Sequence, residues 1–154
     1  MTKSEIMEIL ENHDVELYTL KKQIVELKKA MDDELDDAML FVLPGAVSYD
    51  RETVQATPTP QDEKFVQYIN VAETIRSQYQ ASFVQITNRI HAIHSVYNAI
   101  QWLDPLGKSV ILNLYYPRSS VMDVAQELNK DPKTITRKRD DAIEKLQKYL
   151  QKRV

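Results

Sequence analysis

The chain has 154 residues, 43% hydrophobic and 28% charged, which is enough apolar sequence for one or two small cored domains and too much for wholesale disorder. Its two glycines, Gly45 and Gly107, leave no Gly-rich phosphate loop or dinucleotide fingerprint, and the absence of cysteine removes disulfides, cysteine-ligated zinc and thiol nucleophiles. The net charge of −3 conceals an asymmetry: residues 1–104 hold 9 Lys/Arg against 17 Asp/Glu, whereas residues 105–154 hold 11 against 6.

A basic last third on an acidic chain points to polyanion contact by one part while the rest does other work. A chain without cysteine fits a reducing compartment. The first residues carry Glu5 and Glu8 where a signal peptide would carry basic residues before an apolar run, and no apolar run reaches membrane-spanning length. A cytoplasmic protein without a membrane partner is the expectation.

Apolar residues recur at Ile6, Leu10, Leu17, Leu20, Ile24, Leu27 and Met31, with His13 occupying the remaining place of an a/d heptad seam. The spacing predicts one long helix over about 4–40. Leu35, Ala38 and Met39 leave the seven-residue register near Asp32, Asp33, Glu34, Asp36 and Asp37, an acidic run that reads as a solvated face. A polar residue at the His13 seam position either fixes register or is a tolerated defect near a helix end.

Residues 43–61 contain Pro44, Gly45, Pro58 and Pro60 among Ser and Thr, and read as a linker or extended strap. A second heptad-like stripe runs through Phe65, Tyr68, Ala72, Ile75, Tyr79, Phe83, Ile86, Ile90, Ile93, Tyr97 and Ile100, predicting a helix over about 62–102. The two long helices can pair as an antiparallel hairpin or against a second copy of the chain, giving a homodimer. Residues 1–103 thus form a helical coiled-coil region.

The last fifty residues, 104–154, are punctuated differently. Asp104-Pro105 places an N-cap before a proline at the first helical position, and Leu106, Val110, Ile111 and Leu114 give that helix its apolar face. Ser120 with Asp123 is a capping-box variant opening a two-turn helix through Val121, Val124, Ala125 and Leu128. Asn129 supplies a left-handed stop, and Asp131-Pro132 repeats the cap-and-proline device for a helix over about 132–150 that turns Ile135, Ala142, Ile143, Leu146 and Leu150 inward. Helix, turn, short helix, turn and longer basic helix make a helix-turn-helix in an all-α protein.

Lys133, Thr134, Thr136 and Arg137 lie off the apolar face of the last helix, at the end that enters a major groove in such motifs; they are the candidate base contacts. Lys138, Arg139, Lys145 and Ser120 are candidate phosphate contacts. The plainer alternative is a three-helix cap on a coiled coil with a solvated basic face. His91 and His94 have metal-ligand spacing on a helix, yet no carboxylate or thiol lies within a turn of either, so no metal or cofactor is expected. The paired carboxylates Asp32-Asp33 and Asp36-Asp37 lack a pocket sequence, and Ser119-Ser120 lack a base partner, so no enzyme is expected.

The segment LDPLGKSVILNLYYPRSSVMDVAQELNKDPKTITRKRDDAIEKL resembles the C-terminal domain of phage and prophage late-gene transcription regulators of the RinA, ArpU and LtrC kind, itself similar to region four of bacterial sigma factors. The likeness is carried by Leu112–Tyr116, by Asp123, Val124, Ala125 and Leu128, by Lys133, Thr134 and Ile135, and by Asp141, Ala142, Ile143 and Leu146. It implies a DNA-binding activator of phage genes in a bacterial host, with base-reading places at Lys133, Thr136 and Arg137. In the regulator reading the helical N-terminal part dimerises or contacts RNA polymerase. Arg118 and Asn129 stand where such proteins usually have turn glycines, and Lys130 stands where they have an apolar residue. The competing reading is a coiled-coil adaptor that binds RNA polymerase or a sigma factor without reading DNA.

Overall fold

The computed structural model describes residues 1–42 and 60–152. Among the described residues five helices follow one another: α1 (Lys3–Val42), α2 (Pro60–Ile100), α3 (Pro105–Tyr115), α4 (Val121–Glu127) and α5 (Pro132–Gln151). No strand occurs among the described residues, and the protein is all-α with a long N-terminal helical pair. The strap expected at 43–61 lies outside the described residues except for its last two positions, which open α2.

Helix α1 begins with a reciprocal capping box that the heptad reading had not placed. The Thr2 amide donates to Glu5 Oε2 at 2.7 Å and the Glu5 amide donates to Thr2 Oγ1 at 3.2 Å. These bonds hold the Glu5 carboxyl below its ordinary range. Helix α2 ends two residues earlier than the spacing predicted, because the chain tightens into i→i+3 bonds: Trp102 donates to Ala99 at 3.0 Å and Leu103 to Ile100 at 3.1 Å.

Contacts divide the chain into two units. One is Leu20–Thr87, a pair of helix segments. Leu27 and Ala30 of α1 share a groove with Ser82 and Ile86 of α2, while Glu34 accepts the Tyr79 hydroxyl proton. Advancing along α1 moves backward along α2, so the segments are antiparallel. Two helices alone have no third layer to close over their seam. Among the described residues of this unit only Ala72 and Ile75 are buried, while Leu27, Met31, Tyr79, Phe83 and Ile86 stay half-exposed.

The other unit joins Met1–Thr19 to Asn88–Val154. Here Ile6, Ile9 and Leu10 of α1, Ile93, Val96, Ala99 and Ile100 of α2, and Ile111, Ala142, Ile143 and Leu146 are buried. Burying each large aliphatic side chain is worth about 1.5–3 kcal/mol. His13 is buried as well, and its seam position faces more than a coiled-coil partner: its ring packs against that of Tyr116 at a centroid distance of 4.3 Å, tilted by 42°. Its Nδ1 lies 3.0 Å from the Leu10 carbonyl and its Nε2 lies 2.6 Å from Asp14 Oδ1, so both ring nitrogens have partners. Asp14 Oδ2 is in turn 3.7 Å from Arg118, in the turn that follows α3. Arg89 of α2 grips Glu16 of α1 with two nitrogens, Nη2 to Oε2 at 3.1 Å. Glu16 is the principal reason the guanidinium holds its proton more tightly than usual.

Candidate nucleic-acid interface

Helices α3, α4 and α5 enclose a small core of Val110, Val124, Ala125 and Ile135, flanked by Leu106, Leu114, Val121 and Leu128. Ala125 has only a methyl group at the crossing, which lets α4 approach its neighbours closely. Three caps set the helix starts and stops. Asp104 Oδ2 accepts the Gly107 amide at 3.2 Å. Ser120 Oγ accepts the Asp123 amide at 3.1 Å and donates to Asp123 Oδ2 at 2.7 Å. After α4, Asn129 adopts φ 51° while the Lys130 amide donates to Ala125 at 2.9 Å and the Asn129 amide to Gln126 at 3.2 Å. That is a Schellman stop, built on asparagine instead of glycine.

One cap differs from expectation. Asp131 stands in the N-cap position of α5 but its side chain makes no capping bond. The start is held instead by the Asp131 carbonyl, which accepts from Thr134 at 2.9 Å and Ile135 at 3.2 Å, and by the fixed φ of Pro132. Arg118 also departs from ordinary backbone, at φ 57°. This is the left-handed region that glycine enters most easily.

Of the candidate base contacts, Lys133, Thr136 and Arg137 line one shallow depression with Pro132 and Asp140. Lys133 and Arg137 are exposed, one helical turn apart, and neither has an ion-pair partner among the described residues. Thr136 is half-buried and its hydroxyl donates to the Pro132 carbonyl at 3.2 Å. Thr134 is half-buried and lies outside the depression.

The candidate phosphate contacts do not stay together. Lys138 is half-exposed and unpaired among the described residues. Arg139 donates from Nε at 3.0 Å and Nη2 at 2.8 Å to Asp140 Oδ1. Its charge also acts on Tyr115 of α3, which places it toward the packed side of α5. Lys145 Nζ lies 2.7 Å from Asp104 Oδ1, at the start of α3. Ser120 spends its hydroxyl on Asp123. Past Arg137 the exposed face of α5 mixes signs, with Asp141 and Glu144 beside Lys145 and Lys148.

His91 and His94 are exposed, and no group of three metal-ligating side chains occurs among the described residues. No helix among them is long and apolar enough to cross a membrane. Comparison of the chain with family models, with curated proteins and with solved structures finds no match in any of the three.

Proposed function

We propose that the protein is a sequence-specific DNA-binding transcription regulator, acting in the cytoplasm of a bacterial host as a phage or prophage late-gene activator. The observation that carries this reading is the pair Lys133 and Arg137. They are exposed, one turn apart at the start of the helix that follows a tight α4–α5 turn, and lack partners among the described residues, whereas Arg139, Lys145 and Lys148 are paired. Cations held off the protein's own carboxylates are free to exchange counterions for phosphates and to reach guanine O6 and N7. Thr136, with its hydroxyl committed to Pro132, offers its methyl group for apolar contact with thymine. Lys138 flanks the same end as a phosphate contact.

In this reading the partners are duplex DNA and, through the helical N-terminal part, RNA polymerase or a second copy. No cofactor or catalysis enters. The second reading is an adaptor that binds RNA polymerase or a sigma factor through the same module without DNA readout. It is favoured by the acidic residues Asp140, Asp141 and Glu144 beyond Arg137, which interrupt the basic surface of α5.

Fluorescence-anisotropy titration separates the two. The duplexes are one of random sequence and several from the protein's own genomic neighbourhood, at several salt concentrations, with Lys133→Ala/Arg137→Ala as control. The regulator reading expects salt-dependent binding to one native duplex that the double variant loses. Absence of binding to any duplex at low salt overturns the regulator reading and turns the search to RNA polymerase or sigma-factor partners.

A further inference from the structure

Where the turn after α2 meets the second half of α5, Trp102 stands 70% exposed, stacked on Tyr149 at a centroid distance of 6.1 Å. Beneath the two rings is a cleft of about 290 Å³ floored by Ala99, Leu103 and Leu146. Lys145, Lys148 and Lys152 rim it. Lys145 leans on Asp104 and Lys148 on Glu144, each at 2.7 Å. The rim therefore carries three ammonium groups against two carboxylates, both pairs exposed enough to exchange partners. An exposed indole above an apolar floor costs free energy in water, and a cleft of this size admits one or two aliphatic side chains.

The same chain carries the complementary surface on α1. Leu40 is 63% exposed, and Asp33, Asp36 and Asp37 precede it by seven, four and three positions. On a helix these spacings bring one aliphatic side chain and three carboxylates to one face. All three aspartates are exposed.

We infer that the lysine-rimmed Trp102–Tyr149 cleft of one chain receives the Asp33–Leu40 face of α1 from a second copy, Leu40 entering beside the indole and the aspartates meeting Lys148 and Lys152. This interface is separate from the Lys133 and Arg137 depression and does not depend on the DNA reading. Exchange of the same two surfaces in both directions closes a two-fold dimer, whereas one-way use propagates a chain of molecules.

Sedimentation equilibrium on the full chain tests it, together with emission from Trp102, the only tryptophan present. The wild type is expected to dimerise, with emission moving to shorter wavelength as concentration rises, and the association should weaken about tenfold or more between low and high salt, as screened ion pairs do. Lys148→Glu/Lys152→Glu and Asp36→Lys/Asp37→Lys should each be monomeric alone. Mixed in equal amounts they should associate again, because each then meets opposite charge at both surfaces; recovery also shows that both variants fold.

A wild type that stays monomeric overturns the inference. So does a dimer that neither charge variant disturbs, since its interface is elsewhere. A Trp102 signal that responds to duplex DNA and not to protein concentration assigns the cleft to nucleic acid and overturns it too.

Discussion

Lys145 Nζ and Asp104 Oδ1, 2.7 Å apart, tie the second half of α5 to the cap of α3, because the other oxygen of the same carboxylate holds the Gly107 amide. The lysine, the amide and the backbone keep the Asp104 carboxyl below its ordinary range. Its contribution to stability is therefore present above the ordinary carboxylate range and disappears as pH falls through the depressed value. Asp104→Ala should cost about 0.5–2 kcal/mol, as loss of an N-cap does, measured by urea unfolding near neutral pH. The difference between variant and wild type should shrink in acid. Lys145→Ala should leave the salt dependence of DNA binding unchanged, where a true phosphate contact would lower the slope by about 1.

Arg137→Ala should weaken binding to the preferred duplex by about 1–3 kcal/mol and relax sequence preference at one position. Lys138→Ala should weaken all duplexes alike and flatten the salt slope. Anisotropy titrations against matched and scrambled duplexes distinguish the two patterns, and identical behaviour of both variants would refute the division of roles.

Asn129 holds a left-handed backbone between α4 and α5. Asn129→Gly should change stability little, because glycine meets that φ without a Cβ. Asn129→Val should cost about 1–3 kcal/mol, because a β-branched side chain is strained there. Thermal unfolding followed by circular dichroism gives both values. Equal melting temperatures for the two variants would mean that the turn adapts.

Burial, with smaller contributions from Tyr97 and Asp14, pushes the Tyr116 phenol up to about 12 from its usual 10.0. The folded state binds this proton more tightly than the unfolded chain. Stability should thus be level below about pH 10 and fall between about 10 and 12 through this group. Spectrophotometric titration of tyrosinate should show a late-ionising component that Tyr116→Phe removes. A variant with the full late component would place that component on another tyrosine.

The starts and stops of the last three helices were legible because each rests on local chemistry: Asp104 and Pro105, Ser120 and Asp123, Asn129, then Pro132. The two long helices were legible as two matching stripes, but whether they pair with each other or with a second copy was not. What spacing could not supply was the partner of a face. Nothing in the sequence around His13 names Tyr116, and nothing around Lys145 names Asp104, because each contact joins residues far apart in the chain. Arg139 illustrates the same limit at close range. As one of three consecutive cations it reads as a phosphate contact, yet helical rotation carries it toward Tyr115 while Arg137 faces outward. The capping box at Thr2 and Glu5 was readable from its spacing alone, once the helix start was sought before the first seam residue.

Ile6, Ile9 and Leu10 are buried in a unit whose remaining residues begin at Asn88. This order has a kinetic consequence. A ribosome adds roughly 5–20 residues per second, so those side chains emerge several seconds before most of the rest of their unit has been made. Taken alone, closing contacts across so long an intervening stretch is slow, because the loop entropy is lost before the contacts are gained. The antiparallel helix pair, whose partners are nearer in sequence, can form first and hold the two distant segments in reach of one another.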